Sequence, residues 1–248
     1  MDKKQLENLV KKYETSDFIK DDPIQFPRKF KNLADKELGG FIASLFAFGN
    51  RKAFIAKLDE LFNLMNYNPL NFILNFNPKS LKGFNYRYVK DDDVIAVFQV
   101  LKHLYLIDNG LRVLFEKGYK KDKTIIGMLQ FVVDYFYEHA PKKVEKGFYY
   151  LIPNPKKASA MKRMNMYLRW MVRDGEVDLG LWNFIPKSEL IIPLDTHVAS
   201  ISRELGFLKS SSNNFKAALE ITEKLKKYDK DDPIKYDFAL FGYDIDKE

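Results

Sequence analysis

Apolar residues recur along most of this chain every three to four positions, and that spacing restricts it to helices. Leu38, Phe41, Ile42, Leu45 and Phe46 form one stripe, and Ile125, Met128, Leu129, Val132 and Phe136 form another. Similar stripes run through residues 52–65, 94–106, 160–172 and 214–225. They are separated by Asn66-Tyr-Asn-Pro69, Asn109-Gly110 and Pro153-Asn-Pro155, which are connection chemistry. No alternating strand pattern, internal repeat or low-complexity tract interrupts this order. The expected fold class is therefore all-α. Residues 75–93 are weakly periodic and read as a long connection between two helical groups, so a single unit over 1–248 with two lobes is expected. One lobe is a helical bundle over about 30–150, and the other joins 151–248 to 1–29. Asp91, Asp92 and Asp93 directly precede an apolar helix, where capping and dipole compensation suit them better than metal binding.

The 248 residues, 46% of them hydrophobic, suffice for a sizeable core. With no cysteine and three scattered histidines, the sequence supplies no disulfide, thiolate zinc site or cysteine-ligated cluster, so no metal or other cofactor is expected. The start Met1-Asp-Lys-Lys-Gln carries no apolar leader, and the longest apolar stretch, Val94 to Leu106, is broken by Gln99, Lys102 and His103. No membrane partner and a cytoplasmic, nucleoid-associated location are the expectation. A net charge of +7 attracts polyanions, although solubility alone accounts for such an excess in many proteins. The 21 Phe and 14 Tyr serve either core packing or base stacking.

Two segments concentrate chemistry. Lys156, Lys157, Lys162, Arg163, Arg169 and Arg173 lie in one stretch without an acidic residue. Lys162, Arg169 and Arg173 share a helix face, which reads either as a phosphate-tracking stripe or as a solvated basic face. Further on, Leu190-Ile-Ile-Pro-Leu-Asp-Thr-His-Val198 places Asp195 at the start of a helix continued by Ile201 and Leu205. On pattern alone Asp195 is an N-cap.

Pro193-Leu-Asp-Thr-His-Val198, with Arg203 and Leu205-Gly206, resembles the Val-Asp-Thr-His-Val segment of the helix-hairpin-helix superfamily of DNA glycosylases. Lys162 in Ala160-Met-Lys-Arg163 stands where bifunctional members carry their nucleophile. The likeness is nearest to archaeal 8-oxoguanine glycosylases and to the bacterial family DUF2400, whose signature Lys-Arg-x-Asn-Met-x-Leu-Arg-Trp-Met-Val-Arg is present at 162–173. The resemblance implies a two-lobed helical fold with its active-site cleft between the lobes. It implies a monomer that removes an oxidised base, 8-oxoguanine, from double-stranded DNA, with an associated AP lyase step. Asp195 would stabilise oxocarbenium character at C1′ and a neutral Lys162 would attack that carbon; alternatively Lys162 only contacts phosphate. The Gly-Val-Gly hairpin of that superfamily is replaced here by Leu151 to Ser159.

The same resemblance suggests further residues. Asp237 and Phe241, one helical turn apart, would form the base pocket with Trp182 and Gln25, while Phe238 and Phe241 read equally as core. Asp178 would hold the loop around Trp182. Asn50 and Arg51 would face the strand left unpaired by base flipping, unless Gly49 simply caps the preceding helix. Lys156, Lys157, Arg163, Arg169, Arg173 and His197 complete the expected DNA contacts, with His197 also ordering the Asp195 turn. A DNA-binding module that retains the fold without catalysis is the alternative.

Overall fold

A computed structural model describes residues 1–157 and 159–246, which form fourteen α-helices and three short 3-10 turns with no strand among them. Two compact units divide the chain, one over Gln25–Asn154 and the other joining Met1–Ile24 to the chain from Pro155 onward. These limits stand beside the 30 and 150 expected for the bundle.

The chain opens with α1 (Lys3–Tyr13) and α2 (Ser16–Ile19), both in the discontinuous unit. The continuous unit holds α3 (Gln25–Arg28), α4 (Leu33–Phe46), α5 (Arg51–Leu64), α6 (Pro69–Leu74), α7 (Asp91–Ile107), α8 (Leu111–Asp122), α9 (Ile125–Glu138) and α10 (Lys146–Leu151). Asn32, Asn50, Asn68 and Thr124 each accept the backbone N–H three residues on, so α4, α5, α6 and α9 start where a side chain satisfies an otherwise orphaned donor. The three aspartates before Val94 act as helix-start residues. Asp93 accepts from Lys90 N and, 55 residues away, from Phe148 N, both at 2.9 Å, which pins α10 to the start of α7. Residues 75–93 do not separate two lobes as their composition suggested. They link α6 to α7 inside the continuous unit, anchored by buried Leu81, Phe84, Tyr86 and Val89.

The discontinuous unit is completed by α11 (Lys162–Val172), α12 (Thr196–Glu204), α13 (Phe215–Leu225) and α14 (Asp237–Ile245). α14 packs on both α12 and α1. Where it crosses α1, a Cβ on Gly242 would come within 2.4 Å of the Tyr13 ring, so only glycine permits the approach. Among the described residues no single helix is long and apolar enough to cross a membrane.

Asp93→Ala removes a cap and leaves the buried Phe148 N–H without an acceptor, so it should lower the unfolding free energy by about 2–3 kcal/mol. Urea denaturation checks this, and Asp93→Asn, which keeps one acceptor oxygen, should lose less.

Candidate active site

α11 begins in a strained turn. Its N-cap residue Met161 is left-handed at φ 54°, ψ 27°, a conformation that costs a side chain of this kind roughly 1–2 kcal/mol. The turn is held from both sides: Met161 N donates to Ser159 Oγ at 3.1 Å, Asn165 N donates to Met161 O at 2.9 Å, and Asn165 Nδ2 donates to Ala160 O at 3.3 Å. Lys162 follows as the first residue of the helix and is half-buried. Lys156 and Lys157 stand exposed in the preceding turn.

Asp195 is reached through the buried run Leu190–Leu194, which is fixed where Ile192 N donates to Thr222 Oγ1 of α13 at 3.1 Å. Asp195 then caps α12, its Oδ1 accepting from Val198 N at 2.9 Å. The capping read from the pattern holds, and it engages one carboxylate oxygen. The residue itself is half-buried.

Asp237 is the first residue of α14 and is only 8% exposed. Arg169 Nη1 donates to its Oδ2 at 2.6 Å, and the same guanidinium lies 3.6 Å above the Phe238 ring. Burial pushes the Asp237 carboxyl from 3.8 up to about 6 against the pull of Arg169; the Asp195 carboxylate adds to the rise and the Lys162 ammonium opposes it. Lys162 and Asp195 thus both act electrostatically on Asp237, and α12, which Asp195 caps, packs on α14. One turn on, half-buried Phe241 stands edge-on to His197 with ring centroids 5.4 Å apart. His197 Nδ1 lies 2.9 Å from Asp244 Oδ2, which ties α12 to α14.

Other expected residues lie elsewhere. Arg169 and Arg173 are only 1% and 3% exposed, so a phosphate stripe running through them is corrected. The face they share turns into the unit, where a guanidinium must find carboxylates. Arg169 Nε and Nη2 reach Asp178 Oδ2 at 3.2 Å; Arg173 reaches Asp178 at 2.5 Å, Glu14 at 2.7 Å and Asp232 at 2.9 Å. Arg163 is buried as well, among the apolar residues of α11, so it too offers no exposed phosphate contact. Trp182 is sealed edge-on against Tyr167 at 5.3 Å and beside Phe184, so it presents no face to a flipped base. Asp178 does hold the loop: Leu179 N and Trp182 N donate to Trp170 O and Met171 O at 2.9 and 2.7 Å, folding residues 174–182 over the end of α11. Gln25, Asn50 and Arg51 belong to the continuous unit. Gln25 begins α3 and exposed Asn50 caps α5. α4 ends on Ala47, so Gly49 is a turn residue with φ 83° rather than its cap. Glu14 and Asp232 were not anticipated at all, and nothing in their local sequence marks them as partners of Arg173.

Residues 22–246 match the model of a family described as Protein of unknown function (DUF2400). The chain belongs to the DUF2400 family. The matched region contains Lys162, Asp195 and Asp237, while Glu14 precedes it. No curated protein and no solved structure gives a significant match.

In this DUF2400 protein the elevated Asp237 carboxyl has a thermodynamic signature. Between pH 4 and 6 the folded state keeps a proton that the unfolded chain has lost, so this group's contribution to stability falls as pH rises through that window. Moving from 3.8 to about 6 amounts to about 3 kcal/mol by neutral pH. Asp237→Asn should therefore gain on the wild type between pH 4 and 7 in denaturant titrations. A difference that does not change with pH would contradict the assignment.

Proposed function

We propose that this DUF2400 protein is a DNA base-excision enzyme, a glycosylase with an associated lyase step acting on oxidised guanine in duplex DNA. The observation that carries the reading is that Lys162 and Asp195, each at a helix start and half-buried rather than sealed, both act electrostatically on the Asp237 carboxyl at a third. A nucleophile beside fixed carboxylates is what breaking a glycosidic bond requires. Helix starts direct positive potential outward, which suits the phosphates flanking an extruded nucleotide. The residue pattern around Lys162 and Asp195, similar to that of helix-hairpin-helix glycosylases, supports the same reading.

The residues divide the chemistry as follows. As the C1′–N bond to the base lengthens, positive charge grows on the sugar, and the carboxylate of Asp195 stabilises it. Once the Lys162 ammonium has lost a proton to solvent, the lone pair of its Nζ forms a bond to C1′ while the pair of the breaking bond leaves on the base nitrogen. The base takes up a proton and the attacking amine releases one; the Asp237 carboxyl, pushed up to about 6 and coupled electrostatically to Lys162, exchanges protons there in this reading. Opening of the sugar ring gives a C1′=N Schiff base, from which loss of a C2′ proton and cleavage of the C3′–O bond nick the strand. Half-buried Phe241 supplies a ring beside the site, and exposed Lys156 and Lys157 meet phosphate.

Borohydride added during incubation with an 8-oxoguanine duplex should trap a covalent protein–DNA adduct, and Lys162→Gln should abolish it. Asp195→Asn should slow base release by about 100- to 1000-fold. Lesion DNA bound without adduct or base release, over a panel of oxidised, deaminated and alkylated bases, would replace this reading with non-catalytic DNA binding.

A further inference from the structure

The continuous unit carries a cluster of aromatic rings, one of them more than half exposed. Phe48, in the turn between α4 and α5, has its ring centroid 4.9 Å from Tyr86, 5.8 Å from Tyr88 and 4.9 Å from Tyr150. Tyr88 and Tyr150 meet edge-on at 4.6 Å. Tyr86 anchors the group from below: it is buried and its hydroxyl donates to Phe48 O at 2.7 Å. Tyr88 is 52% exposed, so a large ring faces solvent on top of the cluster.

Cations frame these rings. Tyr86 to Val89 is a tight two-residue turn, closed by Tyr86 N to Val89 O at 2.9 Å and Val89 N to Tyr86 O at 3.0 Å. Its first central residue, Arg87, is left-handed at φ 55°, a conformation glycine adopts far more readily. The Arg87 guanidinium lies across Gly49, where a Cβ would stand 2.7 Å from Nη1. Exposed Lys52 and Lys90 flank the two turns, and Lys146, four residues before Tyr150 on α10, shares its helix face. The aspartates that follow this turn are engaged: Lys82 pairs with Asp92 at 2.6 Å, and Asp91 accepts from Gly83 N at 2.8 Å. An exposed tyrosine ring, Tyr88, among guanidinium and ammonium groups matches a ligand that is flat and apolar on one side and anionic on the other.

We propose that Phe48, Tyr88 and Tyr150, with Arg87 and Lys146, form a surface on which unpaired nucleobases of DNA stack while the cations hold the adjoining phosphates. The proposal shares with the base-excision reading only its ligand class, DNA, and concerns residues outside the Lys162 site.

A single-stranded oligonucleotide containing 2-aminopurine tests it on the full chain. Binding should quench the probe as the base stacks. Tyr88→Ala should weaken affinity by about tenfold, whereas Tyr88→Phe, which keeps the ring, should bind like the wild type. Arg87→Ala should reduce the slope of log affinity against log salt by about 0.7, one phosphate contact on a single strand. Circular dichroism of Tyr88→Ala verifies that it is folded. No binding by the wild type, or wild-type affinity in folded Tyr88→Ala, overturns the proposal. If Tyr88→Ala fails to fold, an unchanged salt slope in Arg87→Ala overturns it instead. A protein that traps no borohydride adduct but shows Tyr88-dependent quenching loses the excision reading and keeps this one; an adduct formed with Tyr88→Ala binding unchanged does the reverse.

Discussion

Two buried arginines hold the discontinuous unit together. Arg169 and Arg173 place two guanidinium charges in an interior where an unpaired ion costs several kcal/mol. The chain meets that cost with Glu14, Asp178, Asp232 and Asp237, drawn from beyond α1, from the loop over α11, and from both sides of the turn that opens α14. Removing either arginine would strand buried carboxylates, so the ion network specifies which segments must assemble as well as binding them. Its stoichiometry matters too. Four carboxylates face two guanidiniums, and the excess negative charge adds to burial in disfavouring ionisation: Asp178 is pushed up, and one of its oxygens has no hydrogen-bond partner. Asp237, at the edge of the same network, is pushed up to about 6 by burial and the Asp195 carboxylate, against the pull of Arg169. The guanidinium that helps build the unit therefore also restrains the protonation of the carboxyl at the candidate site.

That site is made from backbone ends. Lys162 and Asp237 are the first residues of α11 and α14 and Asp195 is the N-cap of α12, so helix geometry fixes their Cα atoms, while capping holds the Asp195 side chain and pairing with Arg169 that of Asp237. Asp195 shows how a structural duty and a chemical one coexist: one oxygen satisfies Val198 N, which locks the carboxylate in place. Met161 shows the complementary device. Its left-handed backbone is a strain that Ser159 and Asn165 sustain, and it sets the direction from which Lys162 leaves the chain.

Helices were legible in the sequence wherever a one-sided apolar stripe recorded burial. Those around Leu38 to Phe46, 52–65, 94–106, 125–136, 160–172 and 214–225 became α4, α5, α7, α9, α11 and α13 with ends shifted by a few residues. α1 left little trace because it buries Leu6 alone. Asp195 was readable as a cap because its partner is three residues away. Arg169 and Arg173 were misplaced for a physical reason: periodicity tells which residues share a face, not where that face points. In α11 every residue from Arg163 to Val172 is buried, so the face opposite the apolar stripe is not an outer one. The carboxylates that settle the matter come from as far as 159 residues along the chain, beyond any local signal. A pairing of Lys162 with Asp195 is suggested only by resemblance to known glycosylases, because no spacing rule relates two helix starts separated by a long loop.

The split of one unit across both ends of the sequence bears on how the protein is made. Residues 25–154 form a compact unit of their own and can begin to close on themselves as soon as they leave the ribosome. The segment carrying Glu14 emerges first yet must wait for Arg173 and Asp232, so it spends most of translation as an unpaired tether. Prior folding of the intervening residues removes much of the flexible chain that this late closure would otherwise have to confine. The order of assembly is thereby written into the topology: the inserted unit first, and last the unit that carries Lys162, Asp195 and Asp237.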